Sequence, residues 1–545
     1  MTTTPVTQRT YQTHCSNCGA ITLFRAASTT HTICSYCAST ITRSGEVLSN
    51  RGIAASVFED YSLLQLGTQG QFQGINFTLI GRVQCEASTG RWTEWVVLLD
   101  NKLDDKLNDK LNDKLDNKLN NKDITAILSE DNGSYVWMQP SDGLSATNIP
   151  PANSLNLGKI ISYLNTNYVV SALNQTSLIA AQGECGQLPI LNTTFDYVEL
   201  RNHKRQLLTL SYDIPNKTPS IYLGEAIDLS VLKLTGLKNA GSIATFSGQS
   251  FDCPNCGSPV TVLLDSSKSI TCQSCHSLID LSQGLGAQLA YALQAEPITP
   301  QISLGSLTMI AGKSWQITGY QHRMTVVNQH NIDDEQEGWE EYLLYNAQLG
   351  FQFLVDSSEG WSLVRPITGV PSLSSNGSVS YLGRIYPPAP RYTARTEFVL
   401  GEFYWPLKRN DTTLNQDFSV NQYRLNYEQS AQETVWSAGQ MVSAKAVIQM
   451  FNISADQTKH FRGDITPVAL NINTLKWGVI IVLILALIVI KIKADSPKET
   501  CQKQFNPYSI LSAEQQMQQC LANYQQRSRS GGSYGGFYMG SGGHK

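Results

Sequence analysis

Three observations predict a mainly β chain made of two ribbon-plus-barrel halves and one transmembrane helix. A quartet of cysteines occurs twice, as Cys15-x-x-Cys18 with Cys34-x-x-Cys37 and as Cys253-x-x-Cys256 with Cys272-x-x-Cys275, every cysteine displaced by 238 residues. Behind each quartet lie short stretches rich in β-branched and aromatic residues, such as 77–83 (FTLIGRV), 95–99 (WVVLL), 342–355 and 396–405, punctuated by Gly, Asn, Asp, Pro and Ser. Near the far end, residues 477–490 (WGVIIVLILALIVI) are apolar without interruption, with Lys476 before them and Lys491 and Lys493 after. Many short strands with turn punctuation favour antiparallel sheets that close into a barrel or pack as a sandwich.

The composition agrees with several ordinary cores. At roughly 150 residues per domain, 545 residues suggest about three or four domains. Charged residues are only 15% and the net charge is −4, which excludes a generically basic nucleic-acid coat and a highly charged disordered chain. Twelve cysteines are too few for a small disulfide scaffold.

Taken in chain order, residues 1–20 contain no apolar stretch of the secretory kind, so the body of the protein is expected to start in the cytosol. A first ribbon is predicted over 10–45 and a first β domain over 53–235. That domain carries an insertion at 101–122, five tandem units of KLDD type. Leucine every four residues drifts about 40° per step around a helix, so the insertion cannot keep a coiled-coil seam and reads as a tolerated loop. It also lacks the glycine and terminal glutamate of a calcium loop. A second ribbon follows over 248–282, a joining helix over 282–296 and a second β domain over 298–453. The 238-residue offset continues past the cysteines, from Leu66-Gly67 to Leu304-Gly305 and from Gly81 to Gly319. Beyond that, Trp92-x-Glu94-Trp95 echoes Trp339-x-Glu341-Tyr342 through a drifting register. A transmembrane helix over 474–492 and a tail over 493–545, partly helical and ending in a Gly/Ser-rich stretch, complete the chain.

Each quartet supplies four soft ligands at a spacing that a short hairpin folds together, which is the pattern of a structural zinc ribbon. Two Zn2+ ions are therefore expected, held by Cys15, Cys18, Cys34 and Cys37 and by Cys253, Cys256, Cys272 and Cys275. With all four positions filled by protein, no slot remains for a catalytic water. His14, His31 and His276 read as bystanders. Nucleic acid is not an expected partner, because only Arg25 lies within the first quartet and only Lys268 within the second, whereas phosphate binding needs clustered Lys and Arg.

Nucleophile elbows, phosphate loops, H-E-x-x-H and dinucleotide fingerprints are all missing from the sequence. The repeated acids Glu94 and Glu341 are the best catalytic candidates, but a lone strand glutamate more often pairs with an arginine such as Arg82 or Arg323. By strand alternation each acid faces away from its neighbour, Trp95 or Tyr342. Trp92, Glu94, Trp95, Trp339, Glu341 and Tyr342 are the candidates for lining a binding groove. No residue is assigned a catalytic role.

These motifs resemble the bacterial family called domain of unknown function 4178. The second half carries the likeness best, through Leu304-Gly305, Gly319, Trp339-Glu-Glu341-Tyr342, Phe351-x-Phe353 and Gly360-Trp361. The first half keeps Leu66-Gly67, Gly81, Trp92 and Glu94, and Gly183-Glu184 with Leu188-Pro189 is similar to a family Gly-Glu-Leu-Pro segment. The resemblance is taken to span residues 15–450 as tandem copies. Family members often carry a ribbon before the domain and some a membrane helix, which implies a role at the envelope or in stress and defence but no established chemistry.

Export of the short tail demands less than export of the long body, so a single-pass inner-membrane protein is expected, body in the cytoplasm and tail outside. The bilayer and a membrane or envelope protein are then its partners. Cys501 and Cys520 could form a disulfide in that tail. The leading functional expectation is a membrane-anchored, zinc-stabilised, non-catalytic scaffold or binding protein. An enzyme with its site around Glu94 and Glu341 is the alternative, and nucleic-acid binding through the ribbons stands third. The sequence does not fix an oligomeric state.

Overall fold

The computed structural model of the chain describes residues 11–454 apart from 27–28, 45–46, 54–56, 58–61, 101–124, 132, 142–148, 187–192, 214–217, 239–248, 265–266, 283–288, 295–296 and 327–336, together with residues 461, 512 and 514–518. The insertion at 101–122, the apolar run at 474–492, Cys501 and Cys520 lie outside the described residues.

Strands dominate. The first half contains β1 (Tyr11–His14), β2 (Ile21–Phe24), β3 (His31–Ile33), β4 (Ser39–Ser44), β5 (Val47–Ile53), β6 (Gln69–Phe72), β7 (Ile75–Ala87), β8 (Gly90–Leu99), β9 (Thr125–Asp131), β10 (Ser134–Pro140), β11 (Ile160–Tyr163), β12 (Thr166–Cys185), β13 (Thr194–Arg201), β14 (Gln206–Tyr212) and β15 (Ser220–Ile227). Eight of these run β7-β8-β9-β10-β15-β14-β13-β12, and β12 pairs back onto β7, which closes an antiparallel barrel. The second half contains β16 (Gln249–Asp252), β17 (Pro259–Val262), β18 (Ser269–Thr271), β19 (Leu278–Asp280), β20 (Tyr291–Ala292), β21 (Leu307–Ile310), β22 (Lys313–Thr325), β23 (Gly338–Asn346), β24 (Gly350–Ser357), β25 (Gly360–Ile367), a small sheet of β26 (Ser372–Leu373), β27 (Val379–Tyr381) and β28 (Arg384–Tyr386), then β29 (Pro388–Phe403), β30 (Thr412–Val420), β31 (Tyr423–Gln429) and β32 (Thr434–Val442). The order β22-β23-β24-β25-β32-β31-β30-β29, closed by β29 on β22, matches the first barrel strand for strand.

Closure removes the unpaired edges that an open sheet would expose. It bends the strands, and bulges supply the bend. The register slips between Leu79 and Gly81 in β7 and between Ile317 and Gly319 in β22, the same place under the 238-residue offset. Gly81 is needed there because a Cβ would stand 1.7 Å from the Glu184 carbonyl oxygen. At Gly319 the nearest atoms are those of the Phe403 ring, at 2.8 Å, and the matching carbonyl oxygen of Glu402 stands farther off, at 3.0 Å.

Alternation divides each barrel wall into an inner and an outer face. In the second barrel Trp339, Leu343, Phe353, Val355 and Phe403 fill the interior. Trp315, Tyr342, Leu344, Leu354 and Trp361 face outward and are covered by the helix α1 (Ala444–Phe451) through Ala444 and Val447. Ser443 caps that helix by accepting from the Ala446 amide at 3.1 Å, and Asn452 ends it in a left-handed conformation. In the first barrel the matching outer face, with Trp95, Val97 and Leu128, is covered by the single helical turn Leu229–Leu232.

The halves dock through the turn between β31 and β32. Glu433 bridges to Ala172 at a bulge in β12, the Leu173 amide donates to the Gln432 carbonyl at 2.9 Å, and Thr434 Oγ1 donates to the Ser171 carbonyl at 3.3 Å.

Two expectations are corrected. The helix predicted over 282–296 is not found among the described residues of that segment. Tyr291–Ala292 is instead a strand on β19, and the Gln294 side chain exchanges two hydrogen bonds with the Val399 main chain, both at 2.8 Å. A short segment with helical composition gives way when a sheet edge offers it partners. The second correction is the single-pass membrane placement. No helix among the described residues is long and apolar enough to cross a membrane. The helix α1 has eight residues and rises about 12 Å, well short of the roughly 30 Å hydrocarbon core.

The glycine contacts predict unequal costs. Gly81→Ala sets a methyl 1.7 Å from a carbonyl oxygen and should destabilise the protein by about 3 kcal/mol, while Gly319→Ala meets a ring that can shift and a carbonyl oxygen at 3.0 Å that need yield only slightly, and should cost about 1 kcal/mol. Denaturant titration of both variants checks this, and equal losses would refute the close-approach argument.

Candidate metal centres

Each ribbon is two knuckles brought face to face. In the first, the Gly19 amide donates to the Cys15 carbonyl and the Ala38 amide to the Cys34 carbonyl, both at 2.9 Å. In the second, Gly257 donates to Cys253 and His276 to Cys272 at the same distance. These tight turns need positive φ, taken by Gly19 (75°), Ala38 (54°), Gly257 (74°) and His276 (56°). The knuckles aim four sulfurs at one point. Cys15 and Cys37 sulfurs are 3.6 Å apart and Cys18 and Cys34 3.7 Å, while the pairs Cys253–Cys275 and Cys256–Cys272 are each 3.7 Å apart. Within each quartet all sulfurs lie within 4.8 Å of one another. A disulfide would need roughly 2.05 Å. A tetrahedron of thiolates with metal–sulfur bonds near 2.3 Å has edges of about 3.8 Å, so both quartets have the spacing to hold a metal ion.

Polar groups around the sulfurs recur with the cysteines. Asn17 Nδ2 approaches Cys37 Sγ at 3.6 Å and Asn255 Nδ2 approaches Cys275 Sγ at 3.4 Å. Ser39 Oγ and Ser277 Oγ each lie 3.2 Å from the same two sulfurs. The Ser39 hydroxyl, helped by its backbone and Asn17, holds the Cys37 thiol down to about 5. The Ser277 hydroxyl does the same for Cys275, also to about 5. Cys37 and Cys275 thus favour the thiolate, the form a metal binds. In the same quartets Cys18 is pushed up to about 12, the Ala20 backbone opposing and burial and the neighbouring thiols raising it, and burial pushes Cys272 up to about 11.

A buried carboxylate fastens each ribbon to its barrel. Glu184, near the end of β12, accepts from the Arg25 amide at 2.6 Å, the Ala26 amide at 3.1 Å and Thr29 Oγ1 at 3.2 Å. Glu402, near the end of β29, accepts from the Leu263 amide at 3.0 Å, the Leu264 amide at 2.6 Å and the Ser267 hydroxyl. The donors of the two sets are 238 residues apart, one for one. Gly183 and Gly401, at φ 73° and 89°, let the strand turn in ahead of each glutamate. The same strands then pair with the ribbon, Glu184 opposite Thr32 and Glu402 opposite Ile270, so ribbon and barrel share one sheet. The sequence pointed to Gly183-Glu184 only as a family likeness and did not single out Gly401-Glu402.

The six groove candidates are placed on both sides of the barrel walls. Trp339 and Glu341 point inward and Tyr342 outward, where its hydroxyl accepts from the Gln301 amide at 3.1 Å. Glu341 is 1% exposed, accepts from Trp339 Nε1 at 2.6 Å and from Gln321 Nε2, and lies 3.8 Å from Arg323. Arg323 also pairs with Glu428 at 3.0 Å and donates to Thr413 Oγ1 at 2.6 Å. One guanidinium thus faces two carboxylates in a buried interior. Burial pushes the Glu341 carboxyl up to about 8, Arg323 opposing and Glu428 adding to the rise. In the first half Trp92 Nε1 donates to the half-buried Glu94 at 3.2 Å, and Trp95, facing the other way, donates to Glu130 at 2.8 Å. Cys85 stands opposite Trp92 as Arg323 stands opposite Trp339, so the arginine is not repeated at that place; the first barrel carries a different buried pair, Arg201 with Glu199 at 3.0 Å. These six residues are packed on two faces and do not form one surface. Lys268, the one basic side chain of the second quartet, is buried and ion-paired with Glu86 of the first barrel.

Residues 303–444 match the family described as a domain of unknown function (DUF4178). The matched segment begins just before β21 and ends at the start of α1, so it contains the second barrel with Glu341, Arg323 and Glu402. The resemblance expected over residues 15–450 is thereby narrowed to the second half, without its ribbon. No curated protein and no solved structure matches the chain.

Two predictions follow from these contacts. Glu402→Ala strands two amides and a hydroxyl and should cost about 2–3 kcal/mol, with amide exchange rising first in residues 249–280. Exchange that rises equally across β22–β32 would show that Glu402 does not act on the ribbon. The raised Glu341 carboxyl favours its protonated form in the folded state. Its contribution is fully present below the unfolded value near 4.5 and is lost as pH climbs through about 8. Stability should therefore fall over that window, and Glu341→Gln should flatten the slope in denaturant titrations taken at successive pH values.

Proposed function

We propose that this chain is a zinc-stabilised, non-catalytic scaffold or binding protein, and that its two halves are copies of one ribbon-plus-barrel unit. The tetrahedral spacing of both sulfur quartets carries the metal assignment. Four thiolates suit zinc, and a site closed by four protein ligands braces a fold rather than activating water. The shared strand order, the bulges at Gly81 and Gly319 and the paired carboxylates Glu184 and Glu402 support duplication. The burial of Glu341 beneath Trp339 and Gln321 speaks for a structural acid and against a reacting one. The burial of Lys268 weakens the case for phosphate binding.

Elemental analysis of the purified full chain should find two zinc ions per chain, one for each quartet. Chelation should strip amide-exchange protection from residues 11–44 and 249–280 before it touches the barrels. Iron in place of zinc would overturn the metal assignment. Cross-linking in the native cell, repeated with Glu341→Gln, tests the scaffold reading. A stoichiometric partner that survives the substitution is expected, and a substrate turned over by the wild type alone would replace scaffold with enzyme.

A further inference from the structure

The first ribbon has an open strand edge where the second is blunted. Among the described residues β2 pairs only with β1, in a two-stranded sheet. The Cys15 amide donates to the Ala20 carbonyl at 2.8 Å, which fixes the alternation of the ladder. Thr22 and Phe24 then direct their N–H and C=O groups to β1, while Ile21 and Leu23 direct theirs to the opposite side. Arg25 continues that alternation, since its amide points away from β1 to Glu184. The edge looks into a half-open cleft of about 230 Å³ between ribbon and barrel, walled on the far side by Leu66, Gly67 and Ile80. Ile21 is 56% exposed and Leu23 38% exposed, and Arg25 is exposed beside them.

The second ribbon carries different residues at the same three places. Its β17 pairs with β16 in the same register, Asp252 opposite Pro259 as His14 is opposite Ile21. Ile21, Leu23 and Arg25 are replaced by Pro259, Thr261 and Leu263. Proline has no N–H and is a common way to blunt a strand edge.

We propose that the β2 edge of the first ribbon binds an extended peptide of a partner protein by strand addition. The inference rests on the reading of the chain as a binding protein and names the kind of partner. The alternating donors and acceptors of Ile21 and Leu23 that face away from β1 have the spacing of another extended backbone, which can replace water along the edge. The cleft is smaller than the roughly 300–1,000 Å³ of small-molecule sites, so it takes side chains of a strand and not a cofactor. Ile21 and Leu23 select apolar side chains at alternate positions, and Arg25 selects an acidic residue at the end of the strand.

A display library of random peptides, selected against the full metal-loaded chain, tests this. The expected result is enrichment of extended sequences with alternating apolar residues and one acidic residue. Their affinity should fall at least tenfold for the Ile21→Pro, Leu23→Thr double variant. That variant copies the second ribbon, so it should keep two metal ions per chain. Should it lose metal, the Leu23→Thr, Arg25→Leu variant gives the readout through loss of the acidic preference. Enriched peptides that bind wild type and variant equally, or no enrichment at all, overturn the proposal. Retention of both metals in that event would leave the scaffold reading standing.

Discussion

Each half of this molecule is organised around the junction between a four-cysteine ribbon and a buried glutamate. A ribbon of some thirty residues cannot bury enough apolar surface to stand alone, and small domains of this kind rely on a metal or a cross-link. Here the sulfurs draw two hairpins together, and the bend between the hairpins is held by Glu184 or Glu402. The carboxylate loses water at that position, and charge-assisted bonds from two amides and a hydroxyl offset the loss. Because the glutamate ends the strand that also closes the barrel, one strand joins the sulfur-bearing ribbon to the barrel seam.

The second barrel contains a charge arrangement that stability alone does not favour. Arg323 between Glu341 and Glu428 leaves an acid over, and buried ion groups often cost as much as they return. The first barrel has Cys85 at the place of Arg323 and a buried Arg201–Glu199 pair elsewhere. The placement of Arg323 therefore is not required by this topology. It fixes the Trp339 indole, which donates to Glu341 and lies under the Arg323 guanidinium at 5.6 Å, and so gives the interior one arrangement of its largest side chain.

The legible parts of the fold were those written locally. Cys-x-x-Cys spacing, the glycines at 81 and 319, and the alternation that separates Glu341 from Tyr342 each depend on neighbours within a few residues. The clamps were not legible because Glu184 meets Arg25 across 159 residues and Glu402 meets Leu263 across 139. A glutamate at a strand end carries no mark of such a partner. Arg323 was named as a partner for Glu341, but the competing claim of Glu428 on the same guanidinium came from another strand. The segment at 282–296 misled because its composition is helical while its fate is set by Val399 and β19.

The pattern of agreement between the halves separates what the unit needs from what each half is free to change. Cysteines, Asn17 and Asn255, Ser39 and Ser277, the bulge glycines and the two clamping glutamates recur, and all of them lie on the path from sulfur to barrel seam. Arg323, Lys268 and Pro259 have no like residue at the matching places, where Cys85, Thr30 and Ile21 stand. Each of these differences sits off that path. Lys268 reaches across to Glu86 and so belongs to the contact between halves, which only one ribbon can make. Across the two halves the brace is the common part, while edges, interiors and mutual contacts differ from one half to the other.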